Sequence, residues 1–266
     1  MPTTYSHYSY GADVLKLLDA GTRNLIEAHR GLYDIGVHGP DVVFYFHAFR
    51  KNKVNQYGVK LHHEPASDFF RFAMEEYRRS RDKDAAKAYL AGFMTHFILD
   101  STCHPYIRRR IRQTGISHTE IETDFDALLM ESDGLNPRAY RPACHMKLRW
   151  DYARVIAPFF RMNPLLMLGC LFDMKLVLNH IFRSHFGVKR AILHWVSRHY
   201  YPNLHLQHYF VKDKINPGNG ETCEKLLKLY HGSQPICAKM IGKLMKALDG
   251  QDPEFLGEAR LQKIFS

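Results

Sequence analysis

The sequence has no CxxC pair, and its five cysteines (103, 144, 170, 223 and 237) are odd in number and irregularly spaced. That argues against a disulfide framework and fits a reducing compartment. Long apolar runs are missing too. The longest, Pro164 to Phe172, is too short to span a bilayer and runs into Asp173. The N-terminal stretch lacks a charged start followed by an apolar run, so no secretory leader is expected and a cytoplasmic location is. There is no internal repeat, no low-complexity segment and no alternating series that would mark a β-sheet. Acidic residues are scarce relative to basic ones, 27 against 37, giving a net charge of +10. This suits either a solvated basic surface or an anionic partner. Basic residues cluster at Arg78, Arg79 and Arg81 and at Arg108, Arg109, Arg110 and Arg112, but no RNA-binding signature or zinc-finger spacing accompanies them.

What remains is globular: 45% hydrophobic and 24% charged over 266 residues. Apolar spacing is helical almost throughout. It predicts helices over 12–29, over 67–80 with Ser67 as cap, and over 84–104 with Asp84 as cap and Pro105 as stop. A further helix is predicted over 118–132 after Ser117. The stretch 31–49 reads as a loop around His38-Gly39-Pro40. The apolar run Val42 to Phe46 that follows is either a strand or a helix entry. Beyond the break at Asp133-Gly134 and Asn136-Pro137, helices are expected over 148–160, 164–184, 187–199, 220–231 and 234–248, with a loop at 216–220. The expected architecture is a single all-α domain, residues 1–266. Its metal-binding half covers about 1–135 and additional helices pack on it from about 140 to 266.

The chemistry concentrates in histidine, of which there are 17. In His96-x3-Asp100-x3-His104 a helix puts three potential ligands on one face, a turn apart. The residues around them are apolar: Leu90, Phe93, Met94, Phe97 and Leu99. An ionised aspartate on such a face needs a cationic partner. His118-x3-Glu122 adds a second pair at helical spacing, with Asp126 one turn further on as a candidate for orienting a ligand imidazole from behind. Two such helices facing each other supply five ligands to one centre, as metal sites in helical bundles do. Imidazole with carboxylate suits zinc. His29, His47, His145, His180, His185, His194, His199, His205, His208 and His231 follow no ligand spacing.

With these motifs on one line, the chain resembles the zinc-dependent phospholipase C family. It is also similar to the amino-terminal domain of glycosylphosphatidylinositol-specific phospholipase D and, more distantly, to the S1/P1 nucleases. The matching pieces, in order, are Thr4-Tyr5-Ser6-His7, Gly39-Pro40-Asp41, Leu61-His62-His63-Glu64-Pro65, His96-x3-Asp100-x3-His104 and His118-x3-Glu122. They cover about the first half of the chain and are specific as a set. The resemblance implies a multi-helix bundle enclosing a multinuclear zinc site. Carried over, Asp41, one of His62 and His63, His96 and Asp100 hold one zinc. His104, His118 and Glu122 hold a second. Asp100 bridges to a third, shared with His7 and the amino-terminal residue. Of the adjacent pair His62 fits the spacing better. The number of ions is two or three.

The implied activity is hydrolysis of a phosphodiester by metal-activated water, of phospholipase C type, with Asp41 as ligand and general base. The implied partner is a phosphoester substrate, membrane phospholipid included. Choline-preferring members carry an aromatic after the corresponding aspartate, whereas Val42 follows Asp41 here, so a choline headgroup is not implied. Two alternatives stand beside this reading: a nuclease-like zinc phosphodiesterase acting on single strands, and a non-catalytic helical interaction protein stabilised by zinc.

Overall fold

A computed structural model describes residues 4–181 and 216–265. These residues are all-α, with one isolated antiparallel bridge between Pro65 and Ile264. The helices are α1 (Tyr5–Lys16), α2 (Ala20–Ala28), α3 (Arg30–Gly36), α4 (Asp41–Phe44), α5 (Lys53–His63) and α6 (Ala66–Arg79). They continue with α7 (Lys83–Thr114), α8 (His118–Ser132), α9 (Trp150–Ile156), α10 (Pro164–Leu176) and α11 (Gly220–Leu248). The helix expected over 187–199 and the end of that over 164–184 lie outside the described residues.

Helix α7 is the axis. From Ala85 to His104 nearly every side chain is buried, so this helix is covered all round rather than on one stripe. Helices α1, α2, α3, α6, α8, α9 and α11 pack against it. The tightest crossing is with α3, at Gly36 and Gly92. A Cβ on Gly36 would lie 2.3 Å from the Tyr89 carbonyl oxygen, and one on Gly92 would lie 2.3 Å from that of Tyr33. Both backbones need the missing side chain to approach this closely. That contact turns 30–36 into a helix where a loop is expected, because Leu32, Tyr33 and Ile35 are buried there.

Helix ends differ from expectation where tertiary partners intervene. The first helix begins at Tyr5, well before Ala12, because the Asp126 carboxylate accepts the backbone N–H groups of Thr4, Tyr5 and Ser6. It stops at Lys16, and Asp19 starts a new helix by accepting from Thr22 N–H. The run after Asp41 is the short helix α4. Helix α6 starts at Ala66 behind Pro65, with no side-chain cap. Asp82, not Asp84, caps α7, which passes through Pro105 to end at Gly115 with φ +72°. Proline deletes one helical hydrogen bond there, but the extension is tied to α11 by the Arg110 Nε donating to Thr222 Oγ1. Ser117 caps α8 as expected, accepting from Glu120 N–H. The two helices expected over 220–231 and 234–248 are one, continuous through Pro235. The C-terminal segment then returns to the bundle, where Ala66 N–H donates to the Lys263 carbonyl and Ser67 N–H to that of Leu261.

Gly92→Ala is expected to lower the thermal unfolding midpoint, through overpacking of about 1–3 kcal/mol or more. Gly242→Ala in α11, where a Cβ meets nothing within 4 Å, should leave the midpoint unchanged or raise it by a fraction of that. Equal behaviour of the two variants in a melting experiment would contradict the crossing.

Candidate metal centre

The α7 stripe forms as its spacing predicts: His96, Asp100 and His104 are all buried. Asp100 lies at the middle of the centre. Its Oδ1 is 3.3 Å from His7 Nε2. Its Oδ2 is 3.3 Å from His96 Nε2, 3.6 Å from His104 Nδ1 and 3.9 Å from His62 Nε2. Burial pushes the carboxyl towards neutrality, but His104, His96 and His7 outweigh it and hold the pKa well below the ordinary value. Two of the imidazoles answer in kind, while burial holds His96 below its ordinary value. Burial disfavours protonated His104, yet Asp100 and Glu122 raise its pKa to about 9. Burial likewise opposes protonated His7, and Asp100 overcomes it. The site stabilises positive charge.

Three helices bring other residues to this stripe. Gly39, at φ +50°, packs on the His96 ring, and a Cβ there would be 2.4 Å from Cδ2. This close turn delivers Asp41 at the start of α4. From the end of α5, His62 places Nε2 3.1 Å from Asp41 Oδ1. Its Nδ1 is 2.8 Å from the Gly58 carbonyl, which can hold the proton there and leave Nε2 free to ligate. On α8, Glu122 Oε1 is 3.2 Å from His104 Nε2 and 2.8 Å from His118 Nε2. Burial opposes ionised Glu122, but His118 and His104 keep it charged.

Three groups result that could each hold a metal ion: His7 with His96 and Asp100, Asp41 with His62 and His96, and His104 with His118 and Glu122. His96 is thus common to two groups, where the resemblance gives it to one. Zinc fits these donors on two counts. The buried atoms Asp41 Oδ1, His62 Nε2, His96 Nε2, Asp100 Oδ2, His118 Nε2 and Glu122 Oε2 make no hydrogen bond despite the short distances. Buried polar atoms are seldom left so. A cavity of about 20 Å³ also lies among His7, Asp100, Cys103, His104 and Glu122. All eight of the preferred ligand residues enter one of the groups. His63 does not: it is exposed, and its Nδ1 is bonded to the Val59 carbonyl.

The decisive comparison concerns the whole first half. A model of the zinc-dependent phospholipase C family matches residues 6–167, well over half of the chain. The chain belongs to the zinc-dependent phospholipase C family. No curated protein and no solved structure matches it. Membership supports a zinc-dependent hydrolase with a phospholipase C-like site, and the all-α bundle with its His/Asp groups is consistent with the family.

Around this family site lie residues that spacing did not reveal. Asp126 does not touch an imidazole; it grips the backbone at the start of α1 and so places His7 by way of the helix. From the far end of the chain, the Phe265 carbonyl lies 3.0 Å from His104 Nδ1. The Phe265 ring is buried against His62, His96 and Phe97. His145, in the loop before α9, has its Nε2 2.7 Å from His38 Nε2 and stacks on Tyr8. Burial, with Lys175 and Arg30 nearby, pushes His145 down to about 3. Burial and the neighbouring histidines also hold His38 well below its ordinary value. One ring of this neutral pair therefore donates and the other accepts. A buried histidine just before Gly39-Pro40-Asp41 was the one local signal for it.

His62→Gln should lower the zinc content measured by atomic absorption, whereas His63→Gln should leave it unchanged. Loss of metal from the His63 variant alone would reverse the assignment of the adjacent pair.

Proposed function

We propose that this chain is a zinc-dependent phosphodiesterase of phospholipase C type, acting on a phospholipid or a related phosphoester. One observation carries the reading. Buried nitrogen and carboxylate atoms from α1, α4, α5, α7 and α8 converge without hydrogen-bond partners, and they are too many for one ion. A structural zinc takes four ligands in a closed site, and catalytic zinc keeps a place for water. Three adjoining groups with carboxylates among them favour catalysis. Two or three zinc ions fit, with His7, Asp41, His62, His96, Asp100, His104, His118 and Glu122 as the residues that would hold them.

Bound zinc supplies hydroxide near neutral pH and neutralises charge on a phosphoryl group. The chain's own residues do the rest. Asp41 is buried but kept ionised by His96 and His62, and as a carboxylate it can accept the proton of the attacking water. His104 and Glu122 orient the far group. His118 is its most accessible member, with 35% of its side chain exposed, so the phosphoester approaches from this side. Arg108 stands one turn beyond His104 on α7 and is exposed, as are Arg109 and Arg112; these charges steer an anion towards the opening. Of the aromatics near Asp41, Phe44 stacks on His62 and Tyr45 is buried.

The test combines metal analysis with three substrates: a soluble phosphodiester reporter, phospholipid and single-stranded DNA. The expected result is two or three zinc ions per chain and turnover of reporter and phospholipid, abolished by a chelator and restored by zinc. Asp100→Asn should lose metal and turnover together. Turnover of DNA alone would install the nuclease reading, and zinc without any turnover would leave a metal-stabilised interaction module.

A further inference from the structure

One corner of the bundle is built unlike the rest of its surface. Leu165 is 70% exposed, Phe172 52% and Leu176 40%. At 100° per residue these three positions of α10 fall in one narrow sector. The opposite face, with Met167, Cys170, Leu171 and Met174, is buried. Lys175 Nζ donates to the Met146 carbonyl, which draws the segment carrying Leu148 and Trp150 towards the same end of α10. Five of the nine exposed large hydrophobic side chains among the described residues lie on α10 or on the segment that leads into and starts α9. Single exposed apolar residues are ordinary, but a cluster marks an interaction surface.

Its rim is basic. The Phe46 ring lies against Gly169, and His47 N–H donates to Asp173 Oδ2 at 2.9 Å, so the segment 46–53 runs along one side of α10. The segment 138–149 leads into α9 on the other. Together they carry seven Lys and Arg residues, among them Arg50, Lys51, Arg141 and Lys147, and no acidic residue. The sequence after α10 keeps this character, with seven aromatic and six basic residues against one acidic over 182–215.

We propose that the α9–α10 corner docks the chain on an anionic phospholipid surface. Leu165, Phe172, Leu176 and Trp150 enter the headgroup boundary while the basic rim meets lipid phosphates, as interfacial amphipathic helices do. Charge decides the occupant. With a net charge of +10 and basic rims on both faces, two copies apposed through this corner repel, whereas an anionic bilayer attracts. No single helix among the described residues is long and apolar enough to cross a membrane, and the two helical segments Trp150–Phe160 and Pro164–His180 are bent by 105° at their junction. Docking needs no turnover, so it is tested apart from the hydrolase reading: a chain that binds vesicles without hydrolysing phosphoester keeps the former and loses the latter.

The experiment is co-sedimentation of the full chain with vesicles of phosphatidylglycerol and phosphatidylcholine, against phosphatidylcholine alone. Binding to the anionic vesicles is expected, weakening as salt rises. The double variant Leu165→Glu/Phe172→Glu should bind about tenfold more weakly or less, with unchanged melting and unchanged turnover of the soluble reporter. Trp150 and Trp195 are the two tryptophans of the chain. In a Trp195→Phe variant the Trp150 emission should therefore shift to the blue on adding anionic vesicles. Failure of the unaltered chain to sediment overturns the proposal, as does equal binding by the double variant. So does a dimer of the unaltered chain that the double variant dissociates, which would make the corner a contact between copies.

Discussion

The buried carboxylate of Asp100 is the constraint around which the bundle is arranged. A lone ionised aspartate in the middle of a helix covered on every side would be severely unfavourable. Four imidazoles from α1, α5 and α7 itself face it within 4 Å. To bring them there, α7 must be enclosed, α1 must start early enough to carry His7, and the last turn of α5 must present His62. The arrangement collects more donors than protein partners can satisfy. It is a receptacle for cations, in which Asp100 raises the pKa of both His7 and His104 against the effect of burial.

Precision in this centre is imposed from behind. Two glycines let α3 and α7 touch backbone to backbone, and Gly39 then lets the turn before Asp41 rest on the His96 ring. Backbone carbonyls of Gly58 and Phe265 stand at the Nδ1 atoms of His62 and His104. Each ring is thereby oriented by a group that cannot rotate away, and its other nitrogen is left for ligation. The second half of the chain is therefore part of the site even though none of its described residues is a candidate ligand: Phe265 packs on His62 and His96, and Leu226 of α11 lines the cavity beside Asp100.

Interior and surface divide the chemistry. Inside, carboxylates and imidazoles are packed together, and His118 is the most exposed of the candidate ligands in the three groups. Outside, exposed apolar side chains line one sector of α10, and the segments flanking it are rich in basic residues. The candidate metal centre and the exposed apolar corner draw on different helices, α1, α4, α5, α7 and α8 for the one and α9 and α10 for the other.

The sequence by itself determined the helical class, the start of α8 at Ser117, and the two stripes His96-Asp100-His104 and His118-Glu122. Each of these depends on residues within two turns of one another, and helical geometry alone decides which share a face. The other features were not legible, because each depends on partners remote along the chain. Asp126 looks like one more turn of a ligand stripe until α1 is seen to begin on it, some 120 residues away. Pro105 reads as a helix end, and a break is expected between 231 and 234, yet α7 and α11, packed against each other, both run through. His145 has no spacing to betray it and meets His38 across more than a hundred residues. The adjacent His62 and His63 are the sharpest case. Spacing could only prefer one of them; tertiary structure put one ring against Asp41 and the other in solvent, because neighbouring side chains on a helix point about 100° apart and only one can face the core.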